Sequence, residues 1–172
     1  MASSFLVIIS ERRALAWVLS SRRMAFPAHR LSEVSALARG DGLFLYTSRG
    51  CFHNPTRDRG RVIGLARAAS GVAALDPPVV LADREFAYGC DLDIESLAPL
   101  HVGVDLAAMV PELATFPNKT GWTTRLRRPL VPLETKDAVL LRRRLRPLVG
   151  SPETVMGDYL AAVPSRSPAA TV

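Results

Sequence analysis

Hydrophobic and polar positions alternate in short blocks along this chain, and the period of each block predicts its element. Phe5-Leu6-Val7-Ile8-Ile9 is an unbroken apolar run of strand length, suited to a buried central strand. Ser10 then stands at a helix N-cap position with Glu11 in the first turn, where the helix dipole favours an acid. Leu15, Val18 and Leu19 recur at helical spacing, so a helix is expected from about Glu11 to Ser21. Pro27 breaks the segment from Arg22 to Arg30. Ser32 is read as the cap of a short helix over Glu33 to Ala38, with Val34 and Leu37 facing the core.

The pattern then shortens to period two. The turn pair Gly40-Asp41 leads into Leu43 to Ser48, rich in strand-forming residues, and Val62 to Ala66 is a second apolar run. Gly71 to Pro78 reads as a turn-rich connection, followed by Val79-Val80-Leu81. Glu85 to Leu92 alternates as a strand should, with Phe86, Tyr88, Cys90 and Leu92 on one face. Leu97 to Val104 is read as a further strand carrying His101, and Asp105 as the cap of a helical piece over Leu106 to Val110. Asn118 to Trp122 is a polar turn, and Arg125, Arg127 and Arg128 around Leu126 read as a half-exposed strand. A last helix runs from about Leu133 to Leu145 or Leu148, with Arg142, Arg143, Arg144 and Arg146 as its solvated face. Five to six short strands among short helices predict an α+β fold, a small mixed barrel, in one domain over 1–150. Beyond Gly150 the Ser/Pro/Ala-rich composition predicts a flexible tail over 151–172.

Composition narrows the picture. The chain has 172 residues, 48% of them hydrophobic, enough to bury a core without staples. Its net charge of +6 permits an acidic partner such as nucleic acid. All but Lys119 and Lys136 of its basic residues are arginine, a skew that genome composition alone can produce. Cys51 and Cys90 have neither metal-ligand nor redox spacing and read as reduced thiols. The apolar run at the N-terminus is too short for a signal peptide and meets Glu11-Arg12-Arg13 at once. No stretch approaches the roughly 20 apolar residues of a membrane span, so a cytoplasmic location without membrane partners is expected.

The order of these pieces resembles a known family. A strand and helix lead to Met24-Ala25-Phe26-Pro27. A helix then ends in Arg39-Gly40-Asp41, and Tyr46-Thr47-Ser48 closes the strand after it. Gly60-Arg61-Val62-Ile63-Gly64-Leu65-Ala66 follows. Later come Trp122, Leu126-Arg127-Arg128, and a helix with Asp137 near its start. Over about residues 4 to 148 this resembles the EVE domain of the PUA-like superfamily, whose relatives include the YTH readers of methylated adenine in RNA. Three departures stand out. Tyr46-Thr47-Ser48 replaces a frequent Tyr-His-Ser, Phe26 stands where many members have tryptophan, and the loop from Arg49 to Arg61 is longer than expected.

The resemblance implies a nucleic-acid-binding module, DNA or RNA, that inserts a modified base such as a methylated one into an aromatic pocket, with no chemistry and no cofactor. Phe26, Phe52, Trp17 and Trp122 are the candidate walls, although Trp17 lies in an apolar helix and reads as core, and Trp122 reads equally as wall or core. Tyr46 and Ser48 share one strand face, with Thr47 on the other. Ser48, Asn54 and the backbone around Arg49, Gly50 and Cys51 are candidate edge readers, and Asn54 before Pro55 serves as well as a turn former. Arg57, Arg59 and Arg61, with Arg125 and Arg127, are candidate phosphate ligands. In the loop, Asp58 and the arginines could equally form an ion-pair lattice. Two alternatives remain from other classes: a small hydrolase or nucleotide-processing enzyme using Cys51 or His53, and a module sensing a small molecule. The histidines, His29, His53 and His101, show no metal-ligand spacing, and Asp91, Asp93 and Glu95 read as a solvated strand edge.

Overall fold

The computed structural model of the chain describes residues 2–54 and 56–161. Strand β1 (Ser4–Ile9) is central, lying parallel to β3 (Gly42–Thr47) and antiparallel to β8 (Leu130–Pro132). β3 pairs antiparallel with β4 (Arg61–Ala68), and β4 with the second half of the 14-residue strand β6 (Arg84–Leu97). The first half of β6 pairs instead with β2 (Arg23–Phe26) and β5 (Ala73–Leu81). A short β7 (Val104–Asp105) continues along β4. β6 thus carries the sheet around a corner and curls it into a half-barrel. Gly89 sits at that corner, where a Cβ would strike the Met24 carbonyl oxygen and the Leu75 side chain.

The period-two pattern divides the apolar residues between two cores. Phe5, Val7 and Ile9 of β1 and Leu43 and Leu45 of β3 point into the barrel, where helix α1 (Arg12–Ser21) closes it. Leu6, Phe44 and Tyr46 point to the opposite face, which is covered by α3 (Leu106–Met109) and α4 (Thr135–Leu145). Asp137 of α4 is buried there, and its carboxylate accepts from the backbone N–H groups of Ala114 and Thr115 and from the Thr115 hydroxyl. No helix among the described residues is long and apolar enough to cross a membrane.

The α+β half-barrel is the fold the pattern predicts, but several local readings change. Glu11, and not Ser10, caps α1, its side chain accepting from the Arg13 N–H. The second helix, α2, covers Leu31–Val34, earlier than the Glu33 to Ala38 expected, because the turn after Pro27 already winds Ala28–Arg30 into a 3-10 helix. Leu97 to Val104 does not extend as one strand. Leu97 ends β6, the chain turns at His101, whose φ is +65°, and strand pairing resumes only at Val104–Asp105. Asp105 makes no side-chain cap to α3. Trp122–Arg127 is a 3-10 helix where a strand was expected, since Asn118 folds its side-chain oxygen onto the N–H groups of Thr120 and Gly121 and tightens the chain. β5 also begins at Ala73, inside the expected turn.

The tail expectation meets a helix instead. α5 (Pro152–Ala161) packs on the barrel, with Tyr159 2% exposed and its hydroxyl donating to the Ala98 carbonyl at 2.7 Å. Composition hid it, because its anchors (Pro152 and Tyr159) are few. The rest of the expected tail, 162–172, lies outside the described residues.

Candidate functional site

A cavity of about 190 Å³ opens where the end of β1, helix α1, strand β2, the β5–β6 hairpin and the segment 126–129 converge. Glu11, the N-cap residue, and Ala14 and Val18 of helix α1 face it, with Trp17 beside them. Trp17 lies about 100° around the helix from the buried Val18, so its ring sits half-buried at the flank of the apolar stripe. β2 contributes Met24 and Ala25. Across the cavity, β5 and β6 join through Ala82-Asp83, both with positive φ as a tight right-twisted hairpin demands, and this turn brings Leu81, Arg84 and Phe86 to the wall.

Arginines surround the opening. The Arg23 guanidinium lies over the Trp17 ring, 5.8 Å from its centroid, and Arg84 lies over Phe86 at 5.7 Å. Arg127 and Arg128 line the far side and are exposed. Arg30 is held in place by Glu33 at 2.6 Å and by the Arg127 carbonyl at 3.3 Å. The result is a concave, partly apolar slot with two aromatic rings in its wall and cations at its rim. It is smaller than the roughly 300–1,000 Å³ of clefts for drug-sized ligands, so it suits one planar ring system and not a whole nucleotide.

The residues grouped from sequence do not assemble around this cavity. Phe26 is fully buried inside the barrel, while Tyr46 is buried in the opposite core, its ring filling the space above Gly60, where a Cβ would overlap it. Trp122 packs edge-on against Phe116 at 5.7 Å on that same opposite side. Two of the expected walls, Phe26 and Trp122, and the candidate Tyr46 therefore stand on two faces of one sheet and do not line one cavity. Thr47 is buried and bonds the Arg61 carbonyl, and the Ser48 N–H is taken by the Ile9 carbonyl. Of the expected residues, Arg127 lines the cavity, whereas Trp17, read as core, is one of its walls. The signal for Trp17 lay in the helical wheel, on the edge of the stripe and beside Ala14.

The long loop is tied down along its length. Cys51 is fully buried, Phe52 meets the His101 ring edge-on at 5.2 Å, and the His53 ring nitrogen Nε2 contacts the Glu11 carboxylate at 2.9 Å. Asp58 stands 3.9 Å from His101, and Arg59 pairs with Asp105 at 2.8 Å. Phe52 and Asn54 line a separate open concavity with Arg12, Asp58 and His101. Arg49, Gly50 and Arg57 are exposed, Arg61 is half-buried in β4, and Arg125 is exposed on the 3-10 helix. The alternation of Asp91, Asp93 and Glu95 is the solvated edge expected, with Glu95 bonding Arg67 at 2.9 Å.

Titration separates the candidate groups further. Burial pushes the Cys51 thiol up to about 12, aided by the negative charges of Glu11 and Asp58, so it stays protonated and out of reach. That corrects the reading of Cys51 as a nucleophile, and His53 is engaged with Glu11. Partial burial alone would raise Glu11, but hydrogen bonds from His53 and from the Arg13 N–H outweigh it and hold the carboxyl below the usual range, and therefore charged.

No family model matches the chain, and no curated protein matches it by sequence. Solved structures do match it in shape. Human THYN1 in complex with 5-methylcytosine-containing DNA superposes with a TM-score of 0.54 at 14% identity, over 83% of this chain and 98% of that one. The Mmi1 YTH domain in complex with RNA gives 0.56 at 8% identity, over 84% and 78%. A protein from Pseudomonas syringae gives 0.55 at 13%, over 83% and 100%. The chain has the PUA-like EVE fold. At these identities the likeness concerns the fold alone.

Proposed function

We propose that this chain binds nucleic acid by taking a single base, flipped out of its stack, into the cavity between Trp17 and Phe86, and that the base it favours carries a modification. The observation that carries this reading is the combination in one small slot of two aromatic walls with cations at the mouth. Flipping a base costs a few kcal/mol. Stacking on aromatic rings returns roughly 1–3 kcal/mol per base, and arginines at the rim hold the flanking phosphates without reading sequence. That two neighbours of the same fold were solved with 5-methylcytosine DNA and with RNA supports the same class of partner. No step of this binding calls for a nucleophile or a cofactor.

The test is fluorescence polarisation with matched DNA and RNA oligonucleotides, plain and methylated, at two salt concentrations. One modified oligonucleotide is expected to bind more tightly than its plain counterpart. Trp17→Ala should weaken that binding about 5- to 150-fold, the equivalent of one lost stacking contact. Binding that ignores modification and collapses with salt would reduce the arginines to a generic phosphate surface and overturn the reading.

A further inference from the structure

Resting on that base-binding reading, we propose that Glu11 reads the edge of the inserted base, selecting bases that carry an exocyclic amine (cytosine, adenine or guanine) over thymine and uracil, and that His53 positions it. Among the residues lining the cavity Glu11 is the one acid; the other charged groups there are cations. An acid inside a cationic rim suits a ligand with N–H donors at its inner edge and phosphates at its outer one. Glu11 also lines the cavity as the cap residue just ahead of α1, and its side chain is 30% exposed, so it is open to a ligand.

The hydrogen-bonding capacity of the carboxylate fits this role. Oε1 accepts from the Arg13 N–H at 3.3 Å and Oε2 from the His53 ring at 2.9 Å. An ionised carboxylate offers about four acceptor positions on its two oxygens, so each oxygen keeps one for a ligand. Because the carboxyl is held below its usual range, it is an acceptor only. An amine at C4 of cytosine or C6 of adenine donates to it, and guanine offers N1–H and its amine side by side. Thymine and uracil present their single N–H between two carbonyl oxygens, one of which the carboxylate would repel. Methylating an amine once leaves one N–H, so a singly methylated base remains readable, whereas dimethylation removes every donor.

His53 adds the fixed geometry. It stands in the long loop with φ at +60°, where a non-glycine residue is uncommon, and Cys51 and Phe52, the two residues before it, pin the backbone leading into that turn. The loop thus locks the carboxylate that the base would meet, without touching the base itself.

The experiment uses single-stranded oligonucleotides that differ only at one central position, read by fluorescence polarisation on the full chain. The unaltered protein is expected to prefer cytosine, adenine or guanine over thymine by roughly 5- to 150-fold, the discrimination one good base-edge contact gives. N4,N4-dimethylcytosine should bind like thymine. Glu11→Ala, which removes the acceptor, should erase the preference among the four bases. His53→Ala should erode it, and His53→Gln, which restores an N–H donor, should recover part of it. Binding without any base preference, or a preference that survives Glu11→Ala or dimethylation, would overturn this inference and leave base insertion standing. Failure to bind any oligonucleotide would overturn base insertion and this inference with it.

Discussion

Tyr159 decides whether α5 belongs to the domain, and its removal has a calculable cost. The ring is 2% exposed and its hydroxyl donates to the Ala98 carbonyl at 2.7 Å, with the Pro99 carbonyl at 3.3 Å. A buried tyrosine removes about 150–250 Å² from water, which at about 25 cal/mol/Å² is an upper bound near 4–6 kcal/mol. Aromatic-to-alanine substitutions in cores cost about 3–5 kcal/mol, and that range is expected for Tyr159→Ala. Tyr159→Phe keeps the ring and loses one hydrogen bond, for about 0.5–1.5 kcal/mol. Urea unfolding followed by tryptophan fluorescence reads both. At a slope of about 2 kcal/mol per M, the alanine variant should unfold at about 1.5–2.5 M less urea. Tyr159 also lies close to Cys51, whose charge would raise its own ionisation, so the alanine variant should open Cys51 to alkylating reagents. A Tyr159→Ala protein within about 0.5 kcal/mol of the parent would show that α5 is an appendage and refute the packing argument.

Cys51 in the unaltered chain should resist thiol reagents at pH 8 and react only on unfolding, because its thiol is fully buried and ionises near 12; rapid labelling of the native protein would restore it as a candidate nucleophile. Glu11 makes a pH-dependent contribution of defined sign. Its folded pKa lies below the ordinary 4.5, so the stabilisation it gives is present above 4.5 and lost as pH falls through the folded value. The melting-temperature difference between the chain and Glu11→Gln should therefore shrink as the pH is lowered through and below 4.5. A difference that stays constant across that range would contradict the depressed pKa.

Much of the architecture was legible because period and sterics are local. The uninterrupted run Phe5 to Ile9 could only be a buried strand, and Leu15, Val18 and Leu19 could only be one face of a helix, so the start of the fold and its α+β class followed from the chain itself. Alternation also announced two faces for β3, with Tyr46 on one and Thr47 on the other. It could not say which face would be covered. Both were, the barrel face by α1 and the other by α3 and α4, which begin about sixty residues or more further along, and so Tyr46 became core and not pocket. The same blindness to long-range packing turned the Ser/Pro/Ala stretch into an expected tail, when Pro152 and Tyr159 anchor Pro152–Ala161 on the barrel.

The candidate site shows where sequence reasoning stops. A long arginine-rich loop attracted attention as a binding element because unusual length signals function, yet Cys51, Phe52, His53 and Arg59 hold it to the domain. Trp17 looked like an ordinary helix residue because its neighbours are apolar. The sequence by itself determined the strands, the main helices and the basic surface, since these depend on spacing within a few residues. Only the tertiary structure decided that Trp17, Phe86 and Glu11, drawn from positions 11 to 86, meet around one cavity. Their meeting depends on how β6 bends at Gly89 and where the β5–β6 hairpin lands, and no local pattern encodes that.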